Sequence, residues 1–128
     1  MNVGQICTRQ AVTICADAAL TEAKRLMCEN HVDAVVVIAA PVERPTALGI
    51  ITDRDIARVE LERPADVAQL PVSVVLSRNP LVFCQDDTFE SAIQRLRVRR
   101  LRHALVMGSG GTLWGLICLD DLLSRIAA

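Results

Sequence analysis

The sequence predicts an α+β fold built from two copies of one β-α-β-β-α unit. The first observation is internal repetition: residues 7–38 align with residues 76–107 at an offset of 69, and after a shorter loop the register resumes at an offset of 66. The second is that short apolar runs alternate with segments of helical periodicity in both copies. The third is length, because one copy of about 55 to 60 residues would bury too little surface for comfortable stability, whereas 128 residues accommodate two.

Each copy opens with a short strand that is followed by an amphipathic helix. The strands are predicted at Val12–Cys15 and Leu81–Cys84. An aspartate after each strand, Asp17 in the first copy and Asp86 or Asp87 in the second, is predicted to cap the helix. The helix residues predicted to face the core are Leu20, Ala23, Leu26 and Met27 in the first copy, and Phe89, Ala92, Ile93 and Leu96 in the second.

Two further strands follow the helix in each copy. The second strands, Ala34–Ile38 and Ala104–Met107, are continuous apolar runs, which is typical of strands buried on both faces. The third strands open with glycine, at Gly49 and Gly115. Between the last two strands of the second copy, residues 108–111 are glycine-rich and predict a hairpin connection.

A closing helix completes each copy and defines the predicted boundaries. It begins near Thr52 and ends before Pro64 in the first copy, and it begins near Cys118 in the second. The two prolines between residues 63 and 71 mark the joint. The predicted boundaries are 1–63 for the first repeat, 64–71 for the linker and 72–128 for the second repeat.

Composition favours a compact soluble protein and argues against nucleic-acid and membrane partners. The chain is 52% hydrophobic and 23% charged with a net charge of −1, and only 2% of its residues are aromatic, too few for a base-stacking surface. The longest apolar run, Ala34 to Ala40, is far shorter than the roughly 20 residues of a membrane-spanning helix. The first six residues lack the features of a signal peptide, which predicts a cytoplasmic protein.

Cysteine spacing and the lack of catalytic motifs narrow the function further. Five cysteines, an odd number without a C-x-x-C pair, predict reduced thiols and neither a disulfide framework nor a zinc site. The sequence contains no P-loop, no G-x-G-x-x-G and no nucleophile elbow, and the repeat brings no Ser, His and Asp together. We therefore expect no enzymatic activity and no bound metal.

Three segments carry a resemblance to a known family. The copies open with similar segments, Val3–Thr8 and Val72–Ser77, and Gly49–Asp55 reads Gly-Ile-Ile-Thr-Asp-Arg-Asp. With the repeat, these features resemble a tandem pair of CBS domains, the Bateman-type regulatory module named after cystathionine β-synthase. The resemblance implies that the repeats pack sheet to sheet with pseudo-twofold symmetry, that the clefts between them bind AMP, ADP, ATP or S-adenosylmethionine, and that two such chains form a homodimer.

Thr52 and Asp55 have two interpretations. Three residues apart at a helix start, they form the pattern of a capping box, in which each side chain satisfies a backbone amide of the first turn. The resemblance implies instead that the Thr52 hydroxyl meets a ligand phosphate at the positive end of the helix, and that Asp55 accepts hydrogen bonds from ribose hydroxyls. Both interpretations stay open at the level of the sequence.

The second copy keeps an aspartate, Asp121, but has Cys118 at the position of Thr52. A thiol is a much weaker hydrogen-bonding group than a hydroxyl, so a phosphate site at this position is expected to be poorer. Asp121 retains the capacity to hold a ribose. We therefore expect two unequal ligand sites, the better one built around Thr52 and Asp55.

Five arginines and no acid lie between residues 95 and 103. Arg102 and His103 fall just before the second strand, where CBS proteins often place basic groups that contact ligand phosphates, so the resemblance implies Arg102 as the first phosphate contact and His103 as the second. Two other interpretations stay open. In one, the cations lie at a solvated helix end, which the helix dipole favours; in the other, they form a weak nucleic-acid surface.

The leading hypothesis is a non-enzymatic regulatory protein that binds an adenosine-containing ligand, with or without magnesium, between its repeats. A ligand of this kind acts through its different affinity for two arrangements of a dimer or of an unidentified effector protein. The alternative is a ligand-free structural or protein–protein interaction module, in which Thr52 and Asp55 only cap a helix. An enzyme is a third hypothesis, which no motif supports.

Overall fold

The structure is a computed structural model that describes residues 1–7, 11–39 and 46–127. Thr8 and Ala40, which end two of the predicted segments, lie outside the described residues. The described chain holds two three-stranded sheets and six α-helices, which confirms the predicted α+β class. In chain order the elements are α1 Val3–Ile6, β1 Thr13–Cys15, α2 Leu20–Asn30, β2 Ala34–Ala39, β3 Thr46–Thr52, α3 Asp53–Glu62, α4 Val72–Val75, β4 Leu81–Cys84, α5 Phe89–Arg99, β5 His103–Met107, β6 Leu113–Cys118 and α6 Leu119–Ala127.

Both sheets have the same topology. The orders are β1-β2-β3 and β4-β5-β6, and in each sheet the first pair of strands is parallel and the second pair antiparallel. A parallel pair needs a crossover connection, which α2 supplies in the first sheet and α5 in the second. The predicted order of strand, helix, strand, strand and helix is therefore confirmed in both copies.

The chain packs into two compact units, and each takes its opening segment from the other copy. The first-repeat unit comprises Val12–Asn79, and the second-repeat unit comprises Met1–Ala11 with Pro80–Ala128. Helix α4, at the start of the second sequence repeat, buries Val72 in the core of the first-repeat unit. Self-similarity therefore divides the sequence into repeats, whereas packing exchanges their opening segments.

Each unit buries one continuous apolar core. The predicted inward faces of α2 and α5 are confirmed, since their spaced apolar residues are buried or partly buried against the sheets. The core of the first-repeat unit contains Ile14, Leu20, Ala23, Met27, Val35, Val37, Ile51, Ile56, Val72 and Leu76. The core of the second-repeat unit contains Val3, Ile6, Cys7, Leu81, Phe83, Ala92, Ile93, Leu96, Ala104, Val106, Ile117 and Leu122.

The predicted cap of α2 is wrong. The residue at the N-cap position is Ala19 and not Asp17, and Ala19 makes no side-chain cap hydrogen bond. The Ala18 amide donates to the Cys15 carbonyl at 3.0 Å, so the chain makes a tight turn after β1 and the helix begins later than the aspartate. Asp17 lies in this turn, a position that aspartate also favours.

The predicted cap of α5 is wrong in the same way. Thr88 is the N-cap residue, and its Oγ1 accepts a hydrogen bond from the Ser91 amide at 3.2 Å. Asp87 stabilises the preceding turn instead, where its Oδ2 accepts from the Cys84 amide at 2.9 Å. Asp86 lies in the same turn and is exposed.

The glycine-rich hairpin connection is confirmed. Residues 109–111 form a 3-10 turn between β5 and β6, which pair in antiparallel orientation. Gly110 and Gly111 have φ of 77° and 76°, a left-handed conformation that other residues adopt only at a cost.

Gly49 lets the opening segment of the second repeat lie against β3. The Ile50 amide donates to the Ser77 carbonyl at 3.2 Å, and the Ser77 amide donates back to Ile50 at 2.9 Å. A Cβ atom at position 49 would overlap the Ser77 carbonyl oxygen and Leu76 Cδ1. The glycine of the Gly-Ile-Ile-Thr segment is thus required by the packing of the neighbouring chain.

Candidate functional site

In both units the start of the second strand lies beside the first turn of the closing helix. The Asp53 amide donates to the Asp33 carbonyl at 2.9 Å, and the equivalent Leu119 amide donates to the Arg102 carbonyl at 2.7 Å. These contacts follow from the antiparallel pairing of the last two strands in each sheet. Each unit therefore has one corner where the side chains before the second strand meet a helix N-terminus.

Thr52 and Asp55 form a reciprocal capping box in the first-repeat unit. The Asp55 amide donates to Thr52 Oγ1 at 3.2 Å, and the Thr52 amide donates to Asp55 Oδ2 at 2.9 Å. Both side chains are partly exposed. The capping interpretation of the sequence is thus realised, with two amides of the first turn satisfied.

The capping box leaves both side chains with capacity for a ligand. Thr52 Oγ1 accepts one hydrogen bond through a lone pair, and its hydroxyl hydrogen can still be donated to an oxygen of a bound anion. Asp55 uses Oδ2 for the Thr52 amide, and no hydrogen bond joins its Oδ1 to another described residue. Capping and ligand binding are therefore compatible at this corner.

The equivalent corner of the second-repeat unit is built around a thiol. Burial raises the pKa of Cys118 to about 11, and this effect outweighs the hydrogen bond from the Asp121 backbone amide, which favours the thiolate. The Asp121 carboxylate also raises the pKa of this thiol. Cysteines at helix N-termini are often acidic, but Cys118 is a protonated thiol at neutral pH.

A second thiol, Cys7, lies close to the same aspartate. It is buried in the core of the second-repeat unit, and its Sγ donates to the Leu116 carbonyl at 3.6 Å. Burial, and then the charge of Asp121, raise the pKa of the Cys7 thiol. The sequence did not point to this residue, since Cys7 lies more than 100 positions from Asp121 and joins it only through the exchanged opening segment.

Arg102 forms an ion pair with a neighbouring aspartate. Its Nη2 atom donates to Asp120 Oδ2 at 2.5 Å, and both side chains are exposed. An exposed pair of this kind stabilises the fold by less than about 1 kcal/mol. Arg102 has four further N–H donors, but an anionic ligand would have to compete with the Asp120 carboxylate for this guanidinium.

Asp120 was missed by the sequence analysis, although the repeat contains a signal for it. The alignment places Arg102 at the position of Asp33, and it places Asp120 at the position of Arg54. Acid and base are thus exchanged between the two corners. A comparison of charges at equivalent positions would have identified the pair.

The other arginines of the cluster divide into two groups. Arg95 packs over the Phe83 ring, with its guanidinium carbon 4.9 Å from the ring centroid, and it also contacts Asp87 at 3.4 Å. Arg97, Arg99 and Arg100 are exposed at the end of α5, where cations favour the helix dipole. Arg95 therefore stabilises the unit, whereas the other three extend into solvent.

The structure brings the five predicted site residues together in two groups. Thr52 contacts Asp55 in the first-repeat unit. In the second-repeat unit, Arg102 adjoins the first turn of α6. His103 pairs with Cys118 in the sheet, and Cys118 precedes Asp121 by three residues. Their role in ligand binding stays a prediction.

The described part of the chain has neither the side-chain clusters of a metal site nor a helix that could span a membrane. No group of three or more His, Cys, Asp or Glu residues that could hold a metal ion occurs among residues 1–7, 11–39 and 46–127. None of the helices in these ranges has the length and apolar character needed to cross a bilayer. The five cysteines are all free thiols.

The family model of the CBS domain matches this chain twice. The matched residues are 3–62 and 68–128, which together include nearly the whole sequence. Each match contains one closing-helix corner, with Thr52 in the first and Cys118 in the second.

Two known proteins with similar sequences carry the same domain name. The CBS domain-containing protein YhcV of Bacillus subtilis is 30% identical over 121 residues, which covers 94% of this chain and 82% of that protein. The CBS domain-containing protein CBSCBSPB5 of Arabidopsis thaliana is 30% identical over 120 residues, which covers 91% of this chain. The chain spans only 21% of the length of this Arabidopsis relative.

Solved structures share the fold over nearly the full length. A CBS-domain-containing protein from Agrobacterium tumefaciens is 26% identical with a TM-score of 0.87, and the match covers 98% of this chain and 99% of that one. A CBS domain protein from Pyrobaculum aerophilum, complexed with AMP, is 22% identical with a TM-score of 0.84, over 99% and 98% of the two chains. A CBS domain pair in complex with 5′-methylthioadenosine and S-adenosyl-L-methionine is 16% identical with a TM-score of 0.84, over 99% and 95%.

Proposed function

Because the chain belongs to the CBS-domain family, as a pair of such domains, we propose that it is a regulatory module that binds an adenosine-containing ligand. The observation that carries the proposal is the arrangement of Thr52 and Asp55. A hydroxyl donor and a partly exposed carboxylate lie together at the N-terminus of a ten-residue helix. AMP, ADP, ATP and S-adenosylmethionine are the candidate ligands.

The chemistry of this corner matches a nucleotide in two respects. A phosphate is attracted to the positive end of α3, where the Thr52 hydroxyl supplies a hydrogen-bond donor. Ribose hydroxyls need an acceptor, and the second oxygen of the Asp55 carboxylate provides one. Two relatives in fold carry adenosine compounds, AMP in one and S-adenosyl-L-methionine with 5′-methylthioadenosine in the other, and they support this choice of ligand class.

In the proposed function the chain is not an enzyme, and its output is a change of shape or association. A ligand shifts such an equilibrium only by its different affinity for two arrangements. We infer a homodimer, together with an effector protein that responds to the ligand-bound state. Arg102 and His103 would contact phosphate and Asp121 would hold a ribose at the second corner, which is the weaker one because it lacks the hydroxyl.

Thermal unfolding with added ligand tests the proposal directly. The purified protein is unfolded with AMP, ADP, ATP and S-adenosylmethionine, each with and without magnesium, and with guanosine triphosphate as a purine control. A ligand at 100 times its dissociation constant adds about 2.7 kcal/mol of stability, which raises the melting temperature by several degrees in a protein of this size.

The variant Asp55→Ala separates the two leading hypotheses. It removes the ribose acceptor, so we expect the ligand-induced shift to disappear, while loss of the cap lowers the stability by about 1 kcal/mol. If none of the adenosine compounds shifts the wild-type protein, the proposal fails and the ligand-free interaction module replaces it. Hydrolysis of ATP that accompanies the wild-type protein and disappears in Asp55→Ala would contradict the absence of catalysis.

A further inference from the structure

The end of α5 carries a concentrated positive charge around one apolar side chain. Arg97, Arg99 and Arg100 are exposed, and guanidinium groups stay charged at any physiological pH. Val98 lies among them, with 76% of its surface exposed. Residues 97–100 are called the basic end below.

The unit does not neutralise the basic end. The two arginines that flank it are used within the unit, since Arg95 pairs with Asp87 at 3.4 Å and Arg102 pairs with Asp120 at 2.5 Å. Within the part of the chain that the structure describes, the three arginines of the basic end form no ion pair. Cations this close together on a helix repel one another, which makes an external anionic partner favourable.

The first-repeat unit shows that the fold does not need these charges. The equivalent positions at the end of α2 hold Cys28, Glu29, Asn30 and His31, which carry one negative charge, with the histidine neutral, in place of three positive ones. Both helices nevertheless have 11 residues and end in the same left-handed cap, with a φ of 55° at His31 and at Arg100. The attraction of cations to the helix dipole is therefore not required for a helix end of this kind to form.

The arrangement around Val98 indicates the chemistry of the partner. Consecutive residues of an α-helix are about 100° apart around the helix axis, so Arg97 and Arg99 lie on either side of Val98. An apolar side chain that covers Val98 buries apolar surface, and it brings the residues next to it towards both guanidinium groups. The segment that matches this surface has an apolar residue between two acidic ones.

We propose that the basic end is the docking site for an acidic segment of the effector protein, in which an apolar residue lies between acidic ones. Charge complementarity fixes the sign of the partner, and burial of Val98 supplies the apolar contact. Arginine is also enriched in protein interfaces, where its guanidinium group binds carboxylates in a bidentate geometry. The inference rests on the effector protein of the proposed function, but it does not depend on any ligand.

Two other anionic partners match the basic end less well. A single-stranded nucleic acid needs aromatic side chains on which its bases stack, and the exposed Trp114 lies at the opposite end of β5 from the basic end, beside Gly108. An anionic membrane surface needs a helix with a broad apolar face. Among the described residues of α5, Val98 is the one exposed apolar side chain, which is sufficient for a contact with a protein segment but not for a membrane.

Peptide binding tests this docking. The probe is a labelled synthetic peptide with three Glu-Leu-Glu triplets joined by Gly-Ser, and fluorescence anisotropy at low salt measures its dissociation constant with the full chain. We expect Arg97→Gln/Arg99→Gln to raise this constant at least about tenfold, because two charged contacts are lost. A peptide with glutamine in place of glutamate should lose at least as much affinity, and high salt should weaken binding of the original peptide by screening.

The matched control is Arg58→Gln/Arg125→Gln, which removes the same charge from two exposed arginines of α3 and α6. It should change the dissociation constant less than about twofold, because distant exposed charges are screened. A second comparison isolates the apolar contact: Val98→Ser should weaken the Glu-Leu-Glu peptide about threefold and leave a Glu-Ser-Glu peptide unchanged. Thermal unfolding of every variant checks the fold, since substitutions of exposed side chains change stability little.

Four outcomes overturn the inference, and they are distinguishable. Absence of binding up to about millimolar peptide contradicts the docking, and equal losses in the two double variants reduce it to a general attraction of charge. If an oligouridylate RNA or a phosphatidylserine vesicle binds more tightly than the peptide, and Arg97→Gln/Arg99→Gln abolishes this binding, the basic end is a nucleic-acid or membrane surface instead. If this variant changes the sedimentation equilibrium of the protein alone, the basic end contacts a second copy. The ligand-induced thermal shift of the variant should equal that of the wild type, so the adenosine proposal is decided separately.

Discussion

The two units build the same corner from different side chains. In the first-repeat unit Thr52 is the N-cap residue of the closing helix, and it forms a reciprocal capping box with Asp55 through hydrogen bonds of 2.9 and 3.2 Å. In the second-repeat unit the equivalent residue, directly before the closing helix, is Cys118. Burial raises the pKa of its thiol to about 11. The backbone contact between helix and second strand is retained in both, at 2.9 and 2.7 Å.

This difference shows that the repeated backbone places the functional groups, whereas single side chains decide what each corner can bind. A hydroxyl retains a donor for an anion, but a protonated, partly buried thiol is a weak donor. The acid and base next to the helix are also exchanged, with Arg102 paired to Asp120 where the first-repeat unit has Asp33 and Arg54. We therefore expect the corners to differ in ligand affinity although they share a fold.

The largest expected effect on the free energy of unfolding is that of Gly49→Ala in the first-repeat unit. The added methyl group would overlap the Ser77 carbonyl, so β3 or the opening segment must shift, at a cost of about 3 kcal/mol in the free energy of unfolding. Urea unfolding measures this loss. Gly108→Ala is the control, because the closest contact of its added Cβ would be a Trp114 side-chain atom at 3.3 Å. A loss of stability in Gly108→Ala as large as that in Gly49→Ala would contradict the packing argument.

The next effect concerns the reactivity of the thiol at the second corner. With a pKa of about 11, roughly one Cys118 in a thousand is a thiolate at pH 8, and this fraction rises about tenfold per pH unit up to pH 10. Iodoacetamide should therefore label the exposed Cys84 well before Cys118, as peptide mass spectrometry would show. Rapid labelling of Cys118 at pH 8 in the folded protein would contradict the burial argument.

The same pKa shift sets the sign of a pH effect on stability. The folded state holds the Cys118 proton more tightly than the unfolded chain, so this contribution is present below about pH 9 and is lost as the pH rises through about 11. We expect the decline of stability between these values to be shallower in Cys118→Ser. Urea unfolding at pH 8, 9.5 and 10.5 checks the difference, and an equal slope in both proteins would contradict it.

A smaller effect is expected from exchanging the capping residues. Thr52→Ala removes the acceptor of the Asp55 amide and should cost about 1 kcal/mol. Cys118→Thr installs a hydroxyl at the equivalent position and should add a few tenths of a kcal/mol and strengthen ligand binding at the second corner. Chemical denaturation gives both values. A loss of stability in Cys118→Thr would show that the second corner has no space for a hydroxyl.

The smallest effect on stability is expected at the ends of α2 and α5. His31 and Arg100 occupy equivalent positions after α2 and α5, and both have a φ of 55° in the left-handed region. Glycine adopts this conformation without strain, so His31→Gly and Arg100→Gly should each leave stability unchanged or raise it by up to about 1 kcal/mol. Differential scanning calorimetry measures the change, and destabilisation of both variants would contradict the assignment of a helix cap.

Most of the fold could be predicted from the sequence because apolar periodicity reports directly on burial. The inward faces of α2 and α5 and the buried second strands follow from this pattern. The exchange of opening segments could not be predicted, because Val3 and Val72 occupy the same place in the repeat and local pattern does not say which sheet they join. Long-range packing decides that choice.

The site could be predicted only in part, for a similar reason. The pattern of Thr52 and Asp55 is local, and its hydrogen bonds were expected. The helix caps at Asp17, Asp86 and Asp87 were wrong because a tight turn and a cap favour the same residue types. Cys7 lies 114 positions from Asp121, and Asp120 lies 18 positions from Arg102. Helical or strand spacing does not indicate contacts of this separation.

The most direct test of the central claim is a calorimetric titration of three proteins with AMP and with S-adenosylmethionine. Asp55→Asn keeps an oxygen that can accept from the Thr52 amide, so the cap is preserved while the carboxylate is lost; Asp121→Asn makes the same change at the second corner. We predict that Asp55→Asn weakens binding at least about tenfold and that Asp121→Asn weakens it less than about threefold. Equal losses, a larger loss in Asp121→Asn, or no binding by the wild-type protein would contradict the claim that the first-repeat corner is the principal ligand site.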